Sequence, residues 1–388
     1  MIPSKYSVHF YVAFFYMTHA TFSPFLGYWF SEQGLSSQQI GLLFSLGPLV
    51  GLLAQPMWGM LCDRFGAEKR VLAISLVAAP LLAFGYLLAG GVFAVFILTA
   101  MAYAVFYSSL MPISDAITVS HARKYGQSYG GIRFLGSLSF ALVITPFGLL
   151  YEGIGIQTMF VMQLIMMLIA LLVLLQVEKP TVQMRRPGNL LQGLGQLLRQ
   201  PYFGLFLGFV FLVSIGNHFY NVFFSVFVGR MGGQVSEQIG WLNSVSALSE
   251  LPFFILSSLL IRRWGYFPML CVTALAGALR WGVLSMEPSF EVLMASQLLH
   301  GLTFALFMAA GVNFAFERSP EGMKNTGQTV FALVYMNLAN ITASNGGGWL
   351  LDQYGFGVLF RTGSVLCLIG AAGFILLSVR MRREQRLA

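Results

Sequence analysis

Residues 178–201, EKPTVQMRRPGNLLQGLGQLLRQP, form the only long polar stretch in a chain of 388 residues. On both sides the sequence is apolar almost without interruption. The chain is 57% hydrophobic and 9% charged, whereas a soluble domain carries about 25% charged residues. A helix needs about 20 apolar residues to cross the hydrocarbon core of a bilayer. Short polar punctuation divides the chain into twelve such runs, near 6–30, 38–62, 70–90, 92–120, 129–152 and 156–177 before the stretch, and 202–229, 236–261, 267–286, 290–316, 325–351 and 356–380 after it. An outer-membrane barrel would instead show alternating segments of about 10 residues. The expectation is an all-α integral membrane protein of twelve transmembrane helices. Two six-helix bundles, 1–177 and 202–388, flank a linker at 178–201.

The net charge of +8 follows topology rather than a nucleic-acid surface. With both termini inside, 18 of the 22 Lys and Arg residues fall on the cytoplasmic side, from Lys5, Arg64 and Arg123 to Arg262, Arg318 and Arg386. Arg230 and Arg361 lie outside, and Arg133 and Arg280 lie in the membrane. The positive-inside rule therefore orients the chain in the inner, cytoplasmic membrane with both termini cytoplasmic. The first apolar run is long enough to span and more spans follow, so it reads as an uncleaved first helix. Cys62, Cys271 and Cys367 read as packing residues without disulfide or metal spacing. No metal-ligand spacing, nucleophile motif or phosphate loop is present to carry an enzyme's chemistry. Neither cofactor nor nucleic-acid partner is expected, and the protein reads as a monomer. A membrane sensor would call for a large soluble domain or a long tail, and the last residues are only MRREQRLA.

The two sets of six spans resemble each other. Ser37, Gln39, Ile40 and Gly41 recur as Ser236, Gln238, Ile239 and Gly240, His19 recurs as His218, and Gly66 recurs as Gly265, all at an offset of 199. Gly126 and Gln127 recur as Gly327 and Gln328 at an offset of 201. A shared offset at separate places points to duplication into two six-helix pseudo-repeats. Parallel repeats of this kind carry a solute site near the bilayer midplane.

Five ionisable residues interrupt the apolar runs: Asp115, Arg133, Glu250, Arg280 and His300. A lone charge at mid-bilayer costs roughly 2.5–3.5 kcal/mol on insertion scales, so such residues are usually paired and line a polar cavity. Asp115 and Arg133 each lie about 9 Å from the loop between spans four and five at 1.5 Å per residue. They can meet, either as a substrate contact or as a bridge between helices. Glu250, Arg280 and His300 lie roughly 18–25 Å from the cytoplasmic face by the same measure. An acid, a permanent cation and an imidazole in one cavity form a proton-handling composition, although structural networks contain such groups too. His19 and His218 occupy equivalent depths, with Asn217, Tyr220 and Asn221 beside His218. They suit solute binding or ordinary interhelical hydrogen bonds.

The loop GMLCDRFGAEKR, with Gly59, Asp63, Arg64, Gly66 and Arg70, resembles the major facilitator superfamily signature GxxxDRxGxxxR. An acid at a helix C-terminus calls for a basic partner, and breaking that pair would serve as a conformational latch. A solvated turn is the plainer alternative. Asp115, YGGIRFLGS at 129–137, Glu250, Arg280-Trp281-Gly282 and His300 resemble the pattern of the phenylpropionate permease family across essentially the whole chain. More distantly they resemble lactose permease. The resemblance implies that Asp115 and Arg133 contact substrate while Glu250, Arg280 and His300 couple it to protons. Two positions depart from lactose permease: Thr303 replaces an acid and Phe140 replaces a tryptophan that stacks on sugar. The first makes Glu250 the principal proton site. The resulting expectation is a proton-coupled symporter of a small organic solute, such as a phenylpropionate or a sugar, working by alternating access. Solute would bind between Asp115 and Arg133 on one repeat and Asn217, His218 and Asn221 on the other. A facilitator or a proton-driven exporter fits the same residues.

Overall fold

The computed structural model describes residues 4–178, 195–320 and 323–387. Residues 179–194 of the expected linker lie outside this set. Among the described residues regular structure is helical throughout, as a bilayer demands, because only a helix or a closed barrel satisfies its own backbone hydrogen bonds in lipid. The helices are α1 (Ser4–Glu32), α2 (Ser37–Phe65), α3 (Glu68–Tyr86), α4 (Phe93–Tyr125), α5 (Tyr129–Ile154), α6 (Ile156–Gln176), α7 (Phe203–Met231), α8 (Val235–Trp264), α9 (Tyr266–Leu284), α10 (Phe290–Arg318), α11 (324–354) and α12 (356–387). α11 and α12 are separated by Gly355 at φ 79°, a left-handed conformation that glycine adopts without a Cβ penalty. α1 has 29 residues and, at 1.5 Å per residue, is about 43 Å long. The twelve expected spans are thus all helical.

Local chemistry sets several boundaries. At the start of α2, Ser36 Oγ accepts from Gln39 N at 3.2 Å and Gln39 Oε1 accepts from Ser36 N at 2.9 Å, a reciprocal cap that satisfies two otherwise orphaned donors. Gly66, at φ 55°, ends α2 by donating its N–H to the Cys62 carbonyl.

By contact the described chain divides into two compact units, one of residues 4–178 with 225–248 and the other of residues 195–224 with 249–320 and 323–387. In the first unit an aromatic cluster fills the space among α1, α3, α4 and α6. Trp29 meets Phe160 edge-on at 5.0 Å and Phe30 meets Tyr86 at 5.2 Å between ring centroids. The start of α8 is docked on α5 of the same unit. Ser236 N donates to Glu152 Oε2 at 2.9 Å and Ser244 Oγ donates to the Ala141 carbonyl. Two glycines permit that approach. A Cβ on Gly240 would stand 2.9 Å from Thr145 Cα, and one on Gly148 would collide with the Ser236 carbonyl.

In the second unit α10 is π-helical over Gly301–Leu306 and α11 over Leu333–Leu338. Each begins or passes where a side chain from another helix reaches the backbone, which is a recognised cause of local helix distortion. Ser249 Oγ of α8 accepts from Gly301 N at 3.0 Å and donates to the Gln297 carbonyl at 3.3 Å. On α11, the Tyr335 carbonyl accepts from His218 Nε2 at 2.8 Å.

Candidate solute and proton sites

α4 and α5 of the first unit bring Asp115, Tyr129 and Arg133 together. Arg133 Nη1 donates to Asp115 Oδ1 at 3.1 Å and Oδ2 at 3.0 Å, and to Tyr129 Oη at 2.8 Å. Tyr129 Oη in turn donates a hydrogen bond to Asp115 Oδ1 at 3.0 Å. One nitrogen therefore holds the whole carboxylate, and the other guanidinium nitrogens make no hydrogen bond to a described residue. Side-chain exposures of 43% for Arg133 and 36% for Asp115 leave the pair open to an incoming molecule. Tyr129 sits four residues before Arg133, one turn away on the same face. It stood inside the motif, but its part in the ion pair became visible only with α4 in place. Phe140, seven residues beyond Arg133, is partly buried on α5.

His19 belongs to a separate polar chain in this unit. Its Nδ1 lies 2.6 Å from Tyr107 Oη, which lies 3.1 Å from Ser23 Oγ, while its Nε2 is buried without a hydrogen-bond partner. The loop motif is mostly solvated. Asp63, Arg64, Gly66 and Arg70 are exposed, and the space beside Gly59 is open. Asp63 forms no ion pair with a described residue. Among the described residues no basic side chain pairs with this exposed carboxylate. Lys69 instead anchors the loop, donating to the Leu175 and Val177 carbonyls at 2.8 and 2.6 Å, where a cation suits the C-terminal end of α6.

The second unit assembles Glu250, Arg280 and His300 from α8, α9 and α10 into one hydrogen-bonded chain. Arg280 Nη1 lies 2.8 Å from His300 Nδ1, and His300 Nε2 lies 3.0 Å from Glu250 Oε1. A guanidinium has only donors, so His300 Nδ1 accepts and the ring proton sits on Nε2, pointing at the carboxylate. Protonating His300 would set two N–H groups against each other at Arg280. Glu250 accepts from the imidazole when ionised and retains a carbonyl acceptor when protonated. It is the member of the chain that can change protonation without breaking a bond.

Arg280 is fully buried. Its Nη2 donates to Gln297 Oε1 at 2.5 Å, its Nη1 also reaches Thr303 Oγ1 at 3.3 Å, and its guanidinium carbon lies 4.3 Å from the Tyr220 ring centroid. Tyr220 Oη donates to the same Gln297 oxygen at 2.7 Å. Gln297 is the polar neighbour of Arg280 that the charge-based reading missed, because an amide does not stand out in an apolar run. Its spacing was a usable signal, since Gln297, His300 and Thr303 follow at intervals of three along one side of α10.

His218 is tied on both nitrogens. Nε2 donates to the Tyr335 carbonyl, and Nδ1 accepts from Asn340 Nδ2 at 3.2 Å, which is the interhelical hydrogen-bond arrangement. Asn217 is buried at 7% exposure with its Nδ2 lacking an acceptor, whereas Asn221 is exposed.

The sequence profile of the MFS_1-like family matches residues 5–362. Maltose permease of Geobacillus stearothermophilus is 29% identical over 375 residues, covering 96% of this chain and 94% of that protein. The "Probable 3-phenylpropionic acid transporter" of Escherichia coli (strain K12) is 26% identical over 353 residues, covering 89% and 91%. The crystal structure of the nucleoside transporter NupG superposes with a TM-score of 0.83 over 97% of this chain and 99% of that one, at 16% identity. That likeness is one of fold. The chain thus belongs to the MFS_1-like family and is a multi-pass membrane transporter of the major facilitator fold, not an enzyme.

Proposed function

We propose that the protein is a proton-coupled symporter of a small organic solute, working by alternating access from the cytoplasmic membrane with both termini inside. The observation that carries this reading is the Glu250–His300–Arg280 chain, in which a neutral imidazole of defined tautomer connects an acid to a buried permanent cation. Glu250 takes the proton. Arg280 is connected to that carboxylate through His300. Thr303 has no titratable group, so Glu250 alone supplies the carboxylate of this cluster.

Asp115, Tyr129 and Arg133 contact the solute on the first repeat, and the Asn217 face of α7 contacts it on the second. The half-open Arg133 can hold a carboxylate through its unoccupied edge or a hydroxyl through single hydrogen bonds. The names of the relatives point to an aromatic acid such as phenylpropionate or to a sugar, with nucleosides a further class for comparison. His218, held on both nitrogens, shapes this face without facing the solute directly. The protein works as a monomer.

Uptake into proteoliposomes tests the proposal. With acid outside, labelled solute is expected to accumulate above its external concentration, and competition by aromatic acids, sugars and nucleosides ranks the substrate classes. Accumulation that ignores the imposed proton gradient would remove the coupling. Equilibration without accumulation would make the protein a facilitator.

A further inference from the structure

A cavity of about 10 Å³ lies in the second unit, walled by Asn217, Arg280, His300, Thr303 and Phe304 and reached beside the exposed Asn221. Its volume is close to that of one water-sized group, so a solute can place one atom there but not its body. Several of the polar groups around it are already committed. Both His300 nitrogens are engaged, by Arg280 and Glu250. Thr303 Oγ1 accepts from Arg280 and donates to the His300 carbonyl at 3.2 Å. Tyr220 Oη donates to Gln297. The exceptions are Asn217 Nδ2, Arg280 Nε and Trp281 Nε1, all buried without a hydrogen-bond acceptor, of which the indole lies against Cys367.

Each exception is a donor, and one belongs to a permanent cation. Buried donors left unpaired are costly, and buried charges are ordinarily matched by an opposite charge. The hydrogen-bonding partners of Arg280 are neutral: the Gln297 amide, the Thr303 and Tyr220 hydroxyls and the His300 imidazole. Glu250 is hydrogen-bonded to it only through the imidazole and also acts on it electrostatically across the cluster. A neutral oxygen in the cavity would satisfy the Asn217 and Arg280 N–H groups, and an anionic oxygen would add a charge-assisted bond to the guanidinium.

We infer that this cavity is a seat for one carboxylate oxygen of the solute, with Asn217 Nδ2 and Arg280 as its donors. The inference deepens the proposed function and rests on its claim that solute reaches the Asn217 face. It does not depend on proton coupling. Charge-assisted hydrogen bonds are roughly twice as strong as neutral ones, so the head group decides affinity when the rest of the solute is held constant.

The test measures binding to the purified full-length protein in lipid nanodiscs, with phenylpropionate, phenylpropionamide and phenylpropanol as probes sharing one aryl body. The carboxylate is expected to bind about tenfold more tightly than the amide or alcohol. Asn217→Asp places a competing carboxylate on the seat and is expected to abolish that preference while the thermal midpoint of the empty protein is unchanged or raised. Asn217→Leu keeps the branched shape of the side chain without the donor and is expected to weaken carboxylate binding without unfolding the protein. Equal binding of the three probes overturns the seat, as does absence of carboxylate binding or undiminished preference in Asn217→Asp. Such results leave an ordered water as its occupant. Uptake that ignores a proton gradient but keeps the carboxylate preference would defeat the coupling proposal and leave the seat standing.

Discussion

The hydroxyl of Ser249 lies inside a hydrogen bond of the neighbouring helix: it accepts from Gly301 N at 3.0 Å and donates to the Gln297 carbonyl at 3.3 Å. In an undistorted α-helix those two groups would bond directly. α10 turns π-helical from Gly301 onward, immediately beyond His300. Gly301 also allows the close approach, since a Cβ there would collide with the Ser249 carbonyl. Glu250, the residue after Ser249, is thereby brought within reach of His300. The insertion is a positional device for the proposed proton site.

Ser249→Ala should let Gly301 and Gln297 bond directly and return the segment to α-helical geometry. The expected stability change is within about 1 kcal/mol, because one hydrogen bond replaces two weaker ones. Proton-driven accumulation should fall much more than thermal stability. Gly301→Ala should instead cost about 1–3 kcal/mol through overpacking. Thermal unfolding and uptake measured on the same preparations separate the two effects, and unchanged uptake in Ser249→Ala would remove the positional role.

Glu250→Gln keeps an acceptor for His300 Nε2 but cannot carry a proton. Exchange of labelled for unlabelled solute across the vesicle membrane should persist, while accumulation against a concentration gradient should be lost. In the wild type, lowering the external pH should raise the accumulation ratio. In the variant that ratio should stay near one at every pH. Accumulation by Glu250→Gln would rule out this carboxylate as the proton site.

Gln297→Leu preserves size and removes the acceptor shared by Arg280 and Tyr220. A hydrogen bond to a charged group contributes about 1.5–3 kcal/mol, so the thermal midpoint should drop clearly. Gln297→Glu should restore stability by pairing with Arg280, yet impair proton-driven accumulation by adding a second carboxylate beside His300. Differential scanning fluorimetry and vesicle uptake provide the two readouts.

Arg133→Lys replaces the planar guanidinium, which spans Asp115 and Tyr129, with a compact ammonium. If the trio contacts solute, KM should rise about tenfold for a loss of about 1.4 kcal/mol, with little change in thermal stability. Tyr129→Phe should produce a smaller shift in the same direction. A fall in stability at unchanged KM would identify the trio as a structural bridge.

The repeats and helical ends illustrate what can be read locally. A run of about 20 apolar residues has one way to cross lipid. Ser36 and Gln39 can cap a helix, and Gly66 or Gly355 can adopt a left-handed conformation, within a few residues of chain. Asp115 and Arg133 were legible as partners because each is counted from the same loop. Their third member was not, since a tyrosine is ordinary in a membrane helix until a carboxylate is placed opposite it.

By itself the sequence determined the twelve helices, the short patterns that recur between the two halves and the charged residues that interrupt the apolar runs, because hydropathy and charge are properties of each residue and its near neighbours. Tertiary structure decided which of those residues meet. It tied His218 to the α11 backbone, left Asp63 to solvent, and placed neutral Gln297 against Arg280 while Asn217 kept an unfilled donor. Those outcomes depend on how closely helices approach and on where a hydroxyl such as that of Ser249 enters a neighbouring backbone. Such approaches join residues from 17 to 117 positions apart in the chain and leave no periodic mark in it.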